Sequence, residues 1–209
     1  MIIVVTGPSG CGKSTLIRRA QDGMAGLLFA VSHTTRPPRR SEVDGREYHF
    51  VSESRFRKMA AAGRFAEWAV VHGHLYGTSV KELKDKGRGG DVVLDIDIQG
   101  ARQISGKFPE SVFIFVLPPV FEELKRRLEG RGEDGPATIA ARLERAREEI
   151  KDYRRFDYLV INDDLERAVQ ELISIIRGQR CRRERREVAV RSVLKSFGLD
   201  RAPSPRKKG

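Results

Sequence analysis

The stretch GPSGCGKST, Gly7 to Thr15, carries the plainest chemistry in this chain. Its spacing is G-x-x-x-x-G-K-[ST], and it follows directly on the apolar run MIIVVT, the context in which such a loop cradles phosphate. Gly7, Gly10 and Gly12 let backbone N–H groups turn inward onto phosphate oxygens, with Pro8, Ser9 and Cys11 between them. The helix expected after the loop adds the partial positive charge of its N-terminus. Lys13 is placed to reach β- and γ-phosphates, and the hydroxyl of Ser14, next to Thr15, suits Mg²⁺. Cys11 reads as a small filler and not as a nucleophile. A nucleoside triphosphate is the expected ligand of this loop. Asp95 closes the apolar run DVVLD, where a carboxylate can hold Mg²⁺ through water. Asp97, two residues on, would point to the same side if the strand continued.

A second cluster runs from Ser32 to Phe50, SHTTRPPRRSEVDGREYHF. It suits either a nucleic-acid backbone or one small phosphorylated molecule. Arg36 and Arg39 offer guanidinium forks that bind phosphate bidentately, and Tyr48 adds a neutral donor. Solvation of a basic loop is the plainer reading of the same residues. Beyond it, FAEWAVVHGHLYGTS puts Glu67 on a strand-like stretch and Tyr76, Gly77 and Thr78 in a turn. An anion site beside a phosphate loop is what a kinase needs, because acceptor and donor repel each other until cations stand between them.

The charge distribution helps to choose between polymer and small molecule. The 209 residues carry a formal net charge of +11. Residues 177–209 hold 12 Lys and Arg against 3 Asp and Glu, whereas residues 1–176 hold 28 against 26. Basicity belongs to the tail, so the arginines of the Ser32–Phe50 cluster sit in a nearly neutral body.

The elements that must position these groups alternate. MIIVV, GLLFAVS, DVVLDID, SVFIFVLPP and DYLVIN read as strands, with helical patterns between and after them, KSTLIRRAQDG and DLERAVQELISIIRG among them. The pattern predicts an α/β fold with a doubly wound parallel sheet of the P-loop NTPase type. Residues 32–90 break the rhythm with short segments such as EYHFV and FAEWAVV and read as an inserted α+β subdomain. Within it, Ser52 is the expected N-cap of SESRFRKMAAAG and Gly63 its stop. Trp68 is expected in the core. No apolar run reaches membrane-spanning length and the start lacks the look of a signal peptide. Two cysteines, Cys11 and Cys181, cannot build a disulfide framework, so a cytoplasmic location is expected.

Taken in order, GPSGCGKST, SHTTRPPR, EVDGREYHF, EWA…YGTS, LDIDIQGA, LPPVFEELKRRLEGRG and VINDDLERA resemble the guanylate kinase family, from about Ile3 to Arg177. The resemblance implies an ATP:GMP phosphotransferase using Mg²⁺. It puts Arg36, Arg39, Tyr48 and Tyr76 on the acceptor phosphate and Ser32, Glu67, Thr78 and Asp97 around guanine. The chemistry of the base agrees: guanine offers N1–H and N2–H₂ donors that one carboxylate accepts together, whereas adenine presents a lone pair at N1. Arg131 and Arg142, and with them Arg127, are expected on the donor phosphates, in a helical lid spanning about 127–150. Glycines at 130, 132 and 135 suit its hinge. Arg126, Arg145 and Arg147 read as helix-surface arginines paired with Glu129, Glu133 or Glu144 at spacings of three or four. The implied domain is 1–177, with core 1–31 and 91–177 and GMP-binding insertion 32–90. A basic extension, 178–209, follows it.

His33, His49, His72 and His74 bring no cysteine or third ligand, so no transition-metal site is expected. The tail is expected to be a solvated extension, and nucleic acid, if bound at all, would be bound there. Rival readings are a kinase of the same fold for another phosphorylated acceptor such as ribose 1,5-bisphosphate, a non-catalytic guanylate-kinase-like interaction domain, and an RNA-binding protein. The TTRPPR element with Glu67 and Thr78, the presence of Lys13, and the neutral body speak against each in turn.

Overall fold

Five apolar runs build the central sheet because each is hydrophobic on both faces. In the computed structural model, which describes residues 1–71, 73–130 and 135–199, these and the flanking elements follow one another along the chain. They are β1 (Ile2–Thr6), α1 (Lys13–Asp22), β2 (Leu27–Phe29), β3 (Ser32–Thr34), β4 (Tyr48–Phe50) and α2 (Glu53–Ala61). Next come β5 (Phe65–Val71), β6 (His74–Ser79), α3 (Val80–Gly87), β7 (Asp91–Asp95) and α4 (Ile98–Lys107). The remainder are β8 (Val112–Leu117), α5 (Phe121–Glu129), α6 (Pro136–Ile150), β9 (Tyr158–Ile161), α7 (Leu165–Arg180) and α8 (Arg183–Ser196). His72, residues 131–134 and residues 200–209 lie outside the described residues.

The central sheet is parallel, in the order β2-β7-β1-β8-β9. Alternation along β1 sends Ile3 and Val5 into one core with Leu16 and Ile17 of α1 and Leu172 and Ile176 of α7. Val4 turns the other way, packing with Leu83 of α3 and Ala101 and Ile104 of α4. This two-sided burial is the doubly wound architecture read from the sequence. With β7 on one side of β1 and β8 on the other, the strand order reverses at β1. The carboxyl ends of β1 and β7 there open a crevice of the kind in which such sheets bind ligands.

The insertion forms a second sheet, β4-β3-β6-β5, in which β3 pairs parallel with β4 and antiparallel with β6. Phe56 of α2 stacks on Phe65 of β5 with ring centroids 4.4 Å apart and anchors this layer. Ser52 caps α2, its hydroxyl accepting from the Arg55 amide at 3.3 Å. GLLFAVS is not one strand: Leu27–Phe29 belongs to the central sheet and Ser32–Thr34 to the second. The Ala30 amide makes the last bond to the first sheet, to the Val93 carbonyl, and the Val31 amide donates to Glu82 at the crossing. The chain thus passes from the central sheet to the second sheet within two residues.

A register shift between Phe65 and Glu67 alters β5. It lets Phe65, Ala66 and Glu67 all be buried, and alternation then turns Trp68 outward, 39% exposed. The expectation of a core tryptophan is therefore wrong: with Glu67 and Ala69 buried, alternation sends Trp68 to the other, more open face of β5.

Helix α7 runs three residues beyond 177. Gln179 is buried and donates to the Tyr158 hydroxyl at 2.6 Å, and Arg180 pairs with Asp91 at 2.6 Å. Helix α8, beyond it, has no buried residue. A chain ended after Gly178 is expected to lose about 2 kcal/mol through these orphaned partners. The midpoint of thermal unfolding would then fall by about 4–8 °C. A chain ended after Cys181 should keep the wild-type midpoint and turnover, as read by thermal melts and a coupled assay.

Candidate functional site

The first half of the site is the loop between β1 and α1. Gly12 caps α1 with φ +95°, a backbone geometry that favours glycine, and a Cβ there would lie 2.3 Å from Asn162 Nδ2. Asn162 follows β9, and its Nδ2 donates to the Cys11 carbonyl at 2.8 Å. Arg127 donates to the same carbonyl at 3.3 Å and to the Asn162 carbonyl at 2.9 Å. The loop is thus held by two side chains, one just after β9 and one on α5, and the Cys11 amide closes a turn onto the Pro8 carbonyl at 3.2 Å. Lys13 Nζ lies over the loop, donating to the Gly7 and Pro8 carbonyls at 2.7 and 3.1 Å. Ser14 Oγ donates to Asp95 Oδ2 at 2.6 Å, because β1 and β7 are neighbours. Cys11 is fully buried, and burial pushes its thiol pKa up, which suits a filler and not a nucleophile.

The second half faces it across a cleft of about 1190 Å³, large enough for more than one small ligand. Arg36 Nη2 meets both oxygens of Glu42 at 2.7 and 2.9 Å, and its Nε donates to the Tyr76 hydroxyl at 3.2 Å. The Arg39 amide also donates to Glu42, at 2.7 Å. Burial works to raise the Glu42 pKa, but these donors outweigh it and hold the carboxyl below its ordinary value. Tyr48 lies under the Arg36 guanidinium, 5.6 Å from it to the ring centroid, and edge-on to Tyr76 at 5.7 Å. Arg36, Tyr48 and Tyr76 therefore converge on one wall, with Arg39 beside them.

Deeper in the cleft lies an acid. Glu67 is only 3% exposed and accepts from the Thr78 amide at 2.7 Å. Gly100, at the start of α4, gives it room: a Cβ there would stand 2.5 Å from Glu67 Oε2. Ser32 and Thr78 share a hydrogen bond of 2.8 Å beside it. Burial raises the Glu67 carboxyl to about 7, opposed by the bonds from Thr78 and reinforced by the charge of Asp97. Asp97 reaches the cleft for a different reason from the one expected. β7 stops at Asp95, and Asp97 is the N-cap of α4, accepting from the Gly100 amide at 2.9 Å.

Of the donor-side expectations, Gly7, Ser9, Gly10, Gly12, Lys13, Ser14, Thr15 and Arg142 line the cleft, and Pro8, Cys11 and Arg127 stand behind it. Arg131 is outside the described residues. Of the acceptor-side expectations, Ser32, Arg36, Arg39, Tyr48, Glu67, Tyr76 and Asp97 line it, whereas Thr78 is fully buried and holds Ser32 and Glu67 in place. Asp95 sits between the two halves.

Three residues with clear parts here escape a reading of the sequence. Glu42 orients Arg36, and no local pattern marks it. Asn162 braces the phosphate loop, and its only signal is a polar residue closing an apolar strand. Arg145 by spacing is a surface residue like Arg126 and Arg147, which pair with Glu123 and Glu144. It pairs with Glu149 and also with Asp97, and it lines the cleft. Its spacing of three from Arg142 is the available signal.

Comparison with known proteins bears on the whole arrangement. A guanylate kinase family profile matches residues 1–179. The chain is 46% identical to a guanylate kinase of Geobacter sulfurreducens over 201 residues, 96% of this chain and 98% of that one. It is 49% identical to one of Nitratidesulfovibrio vulgaris over 175 residues, 82% and 84% of the two chains. The crystal structure of guanylate kinase from Anaplasma phagocytophilum superposes with a TM-score of 0.76 at 31% identity, covering 95% of each chain. A phosphate loop, an arginine–tyrosine wall and a buried acid, in a fold and a sequence shared over nearly their whole length with these enzymes, make this chain a member of the guanylate kinase family.

Proposed function

We propose that this protein transfers the γ-phosphoryl group of ATP to GMP, and to dGMP, forming ADP and GDP. The observation that carries the reading is the cleft with a phosphate loop on one wall and Arg36, Tyr48, Tyr76 and Glu67 on the other. An oxygen of the GMP phosphate attacks the γ-phosphorus, and the bond from that phosphorus to the β,γ-bridging oxygen breaks, leaving ADP. At neutral pH the GMP phosphate is already deprotonated, so the step needs no protein base or nucleophile. Lys13 and the loop amides stabilise the transferring charge, and Arg142, with Arg131 and Arg127, is read on the donor side. Arg36 and Arg39 with the two tyrosines hold the acceptor phosphate in line.

Ser14 and Asp95 offer hard oxygen donors in mutual contact, which fits Mg²⁺ held partly through water. When bound, the ion neutralises charge on the donor phosphates. The working division is a core of 1–31 and 91–177, a GMP-binding insertion of 32–90 and a lid of about 127–150. Among the described residues no helix is long and apolar enough to cross a membrane. With both cysteines unpaired and ATP and GMP as substrates, we place the enzyme in the cytoplasm.

A coupled assay offering ATP with GMP, dGMP, AMP, UMP or ribose 1,5-bisphosphate tests the acceptor. GMP is expected to exceed AMP in kcat/KM by about 10⁴. Preference for AMP or for the sugar phosphate would overturn the reading.

A further inference from the structure

Three side chains of α6 line the cleft at helical spacing: Arg142, Arg145 and Glu149. Residues three and four apart share a helix face, so this face of α6 is the one turned toward the substrates. Arg142 belongs to the donor side. Arg145 does something different. Its Nε donates to Glu149 at 2.7 Å on its own helix, and its Nη2 reaches Asp97 Oδ2 at 3.3 Å on α4. Asp97 in turn fixes the N-terminus of α4 through the Gly100 amide, and Gly100 is the residue against which Glu67 lies.

We propose that Arg145 couples the two substrate sites, tying the donor-side helix α6 to the acceptor-base acid Asp97. The proposal rests on the ATP:GMP reading above and adds a positioning residue to it. A guanidinium can span two carboxylates at once because its donors diverge in one plane, which an ammonium point charge does less well. The pair is also partly shielded: the Arg145 side chain is 34% exposed and that of Asp97 16%. Guanine binding would engage Asp97 from one side while Arg145 holds it from the other, so filling the acceptor site favours the α6 position that sets Arg142 for the donor phosphates. Conversely, ATP drawing on Arg142 fixes α6 and presents Asp97 in the orientation guanine needs. Reciprocity is required of any such coupling.

The test is a linkage measurement on the full chain. GMP affinity is measured by calorimetry alone and with a non-hydrolysable ATP analogue, and the ratio of the two dissociation constants is the coupling factor. In wild type the factor should exceed about 5, the lower end of typical couplings. In Arg145→Ala it should fall toward 1, with kcat reduced, while the analogue alone binds as in wild type. Arg145→Gln, with thermal midpoints recorded for both variants, keeps the test valid if the alanine variant folds poorly. In Asp97→Asn the further loss of coupling from removing Arg145 should be small, because the ion pair is already broken. Unchanged coupling in both Arg145 variants, or no coupling in wild type, overturns the proposal. Failure of wild type to phosphorylate GMP would instead overturn the functional reading, which the same preparation reports separately.

Discussion

Replacing Lys13 by methionine is expected to lower kcat by about 10³-fold or more with the fold intact. The ammonium lies directly over the phosphate loop, donating to the Gly7 and Pro8 carbonyls. On the proposed reaction, those carbonyls would exchange for phosphate oxygens when ATP binds, and the charge would follow the γ-phosphoryl as it loosens. Removing one preorganised donor to developing charge commonly costs about 10²–10³ in rate, and a full cation more. Methionine keeps the stem and its contacts, so the midpoint of unfolding should move little. Steady-state kinetics with ATP varied at saturating GMP reads the effect. A variant turning over within about tenfold of wild type would remove Lys13 from the transferring charge.

Glu67→Gln is expected to show a trade-off between recognition and stability. The amide side chain can still accept from the Thr78 N–H, but it cannot offer two acceptor oxygens to the N1–H and N2–H₂ edge of guanine. The GMP-to-AMP preference should fall by about 10²-fold or more, in KM for GMP above all. Stability should move the other way. Burial holds the Glu67 carboxyl protonated up to about pH 7, against an ordinary value of 4.5. A carboxyl whose folded pKa is raised favours folding fully below pH 4.5, and that contribution is lost as pH rises to 7. At pH 8 the wild-type protein therefore carries a buried charge that the glutamine variant does not, and the variant should be more stable by about 2 kcal/mol. The same titration gives wild type a pH dependence. GMP affinity should weaken as pH drops below about 7, where the free site takes up a proton that guanine must displace, and Glu67→Gln should lose that dependence. Isothermal titrations and thermal melts at about pH 6 and about pH 8 on both proteins check all three effects. An unchanged base preference would take Glu67 out of the site.

The parts of the site legible in the sequence are those fixed by local spacing. The phosphate loop is contiguous, so Gly7 to Thr15 can be read as one object, and Asp95 stands at the end of an apolar strand next to it in the sheet. The doubly wound core is legible because two-sided burial leaves nearly unbroken apolar runs. Other features depend on contacts that no local pattern encodes. Glu42 matters only because its loop folds back on Arg36. Arg145 is a helix-surface arginine by spacing and becomes part of the cleft only because α6 lies against Asp97. Trp68 reads as core by its residue type, yet it stands between the buried Glu67 and Ala69 and so falls on the more open face of β5. The stretch GLLFAVS looks like one strand because apolar continuity does not say when the chain changes sheets. The acceptor residues form an intermediate case. The residue types at Arg36, Tyr48, Glu67 and Tyr76 suit a guanine nucleotide, but only the family resemblance assigns them to it, and the second sheet is what brings them to one wall.

The division of labour within the cleft explains why one chain needs both sheets. Charge for the donor comes from a loop braced by Asn162 and Arg127, and charge for the acceptor from an insertion stapled by Glu42. Each set of cations is held by its own support. Asp95, Asp97 and the facing side of α6 line the same cleft as both sets.

The most direct test follows the phosphoryl group itself. ATP labelled at the γ-phosphorus is incubated with the purified protein, Mg²⁺ and an equimolar mixture of GMP and AMP, and the labelled products are separated. The label is expected in the β-phosphate of GDP, with almost none in ADP or inorganic phosphate. Label released as inorganic phosphate, or carried preferentially to AMP, would contradict phosphoryl transfer to GMP.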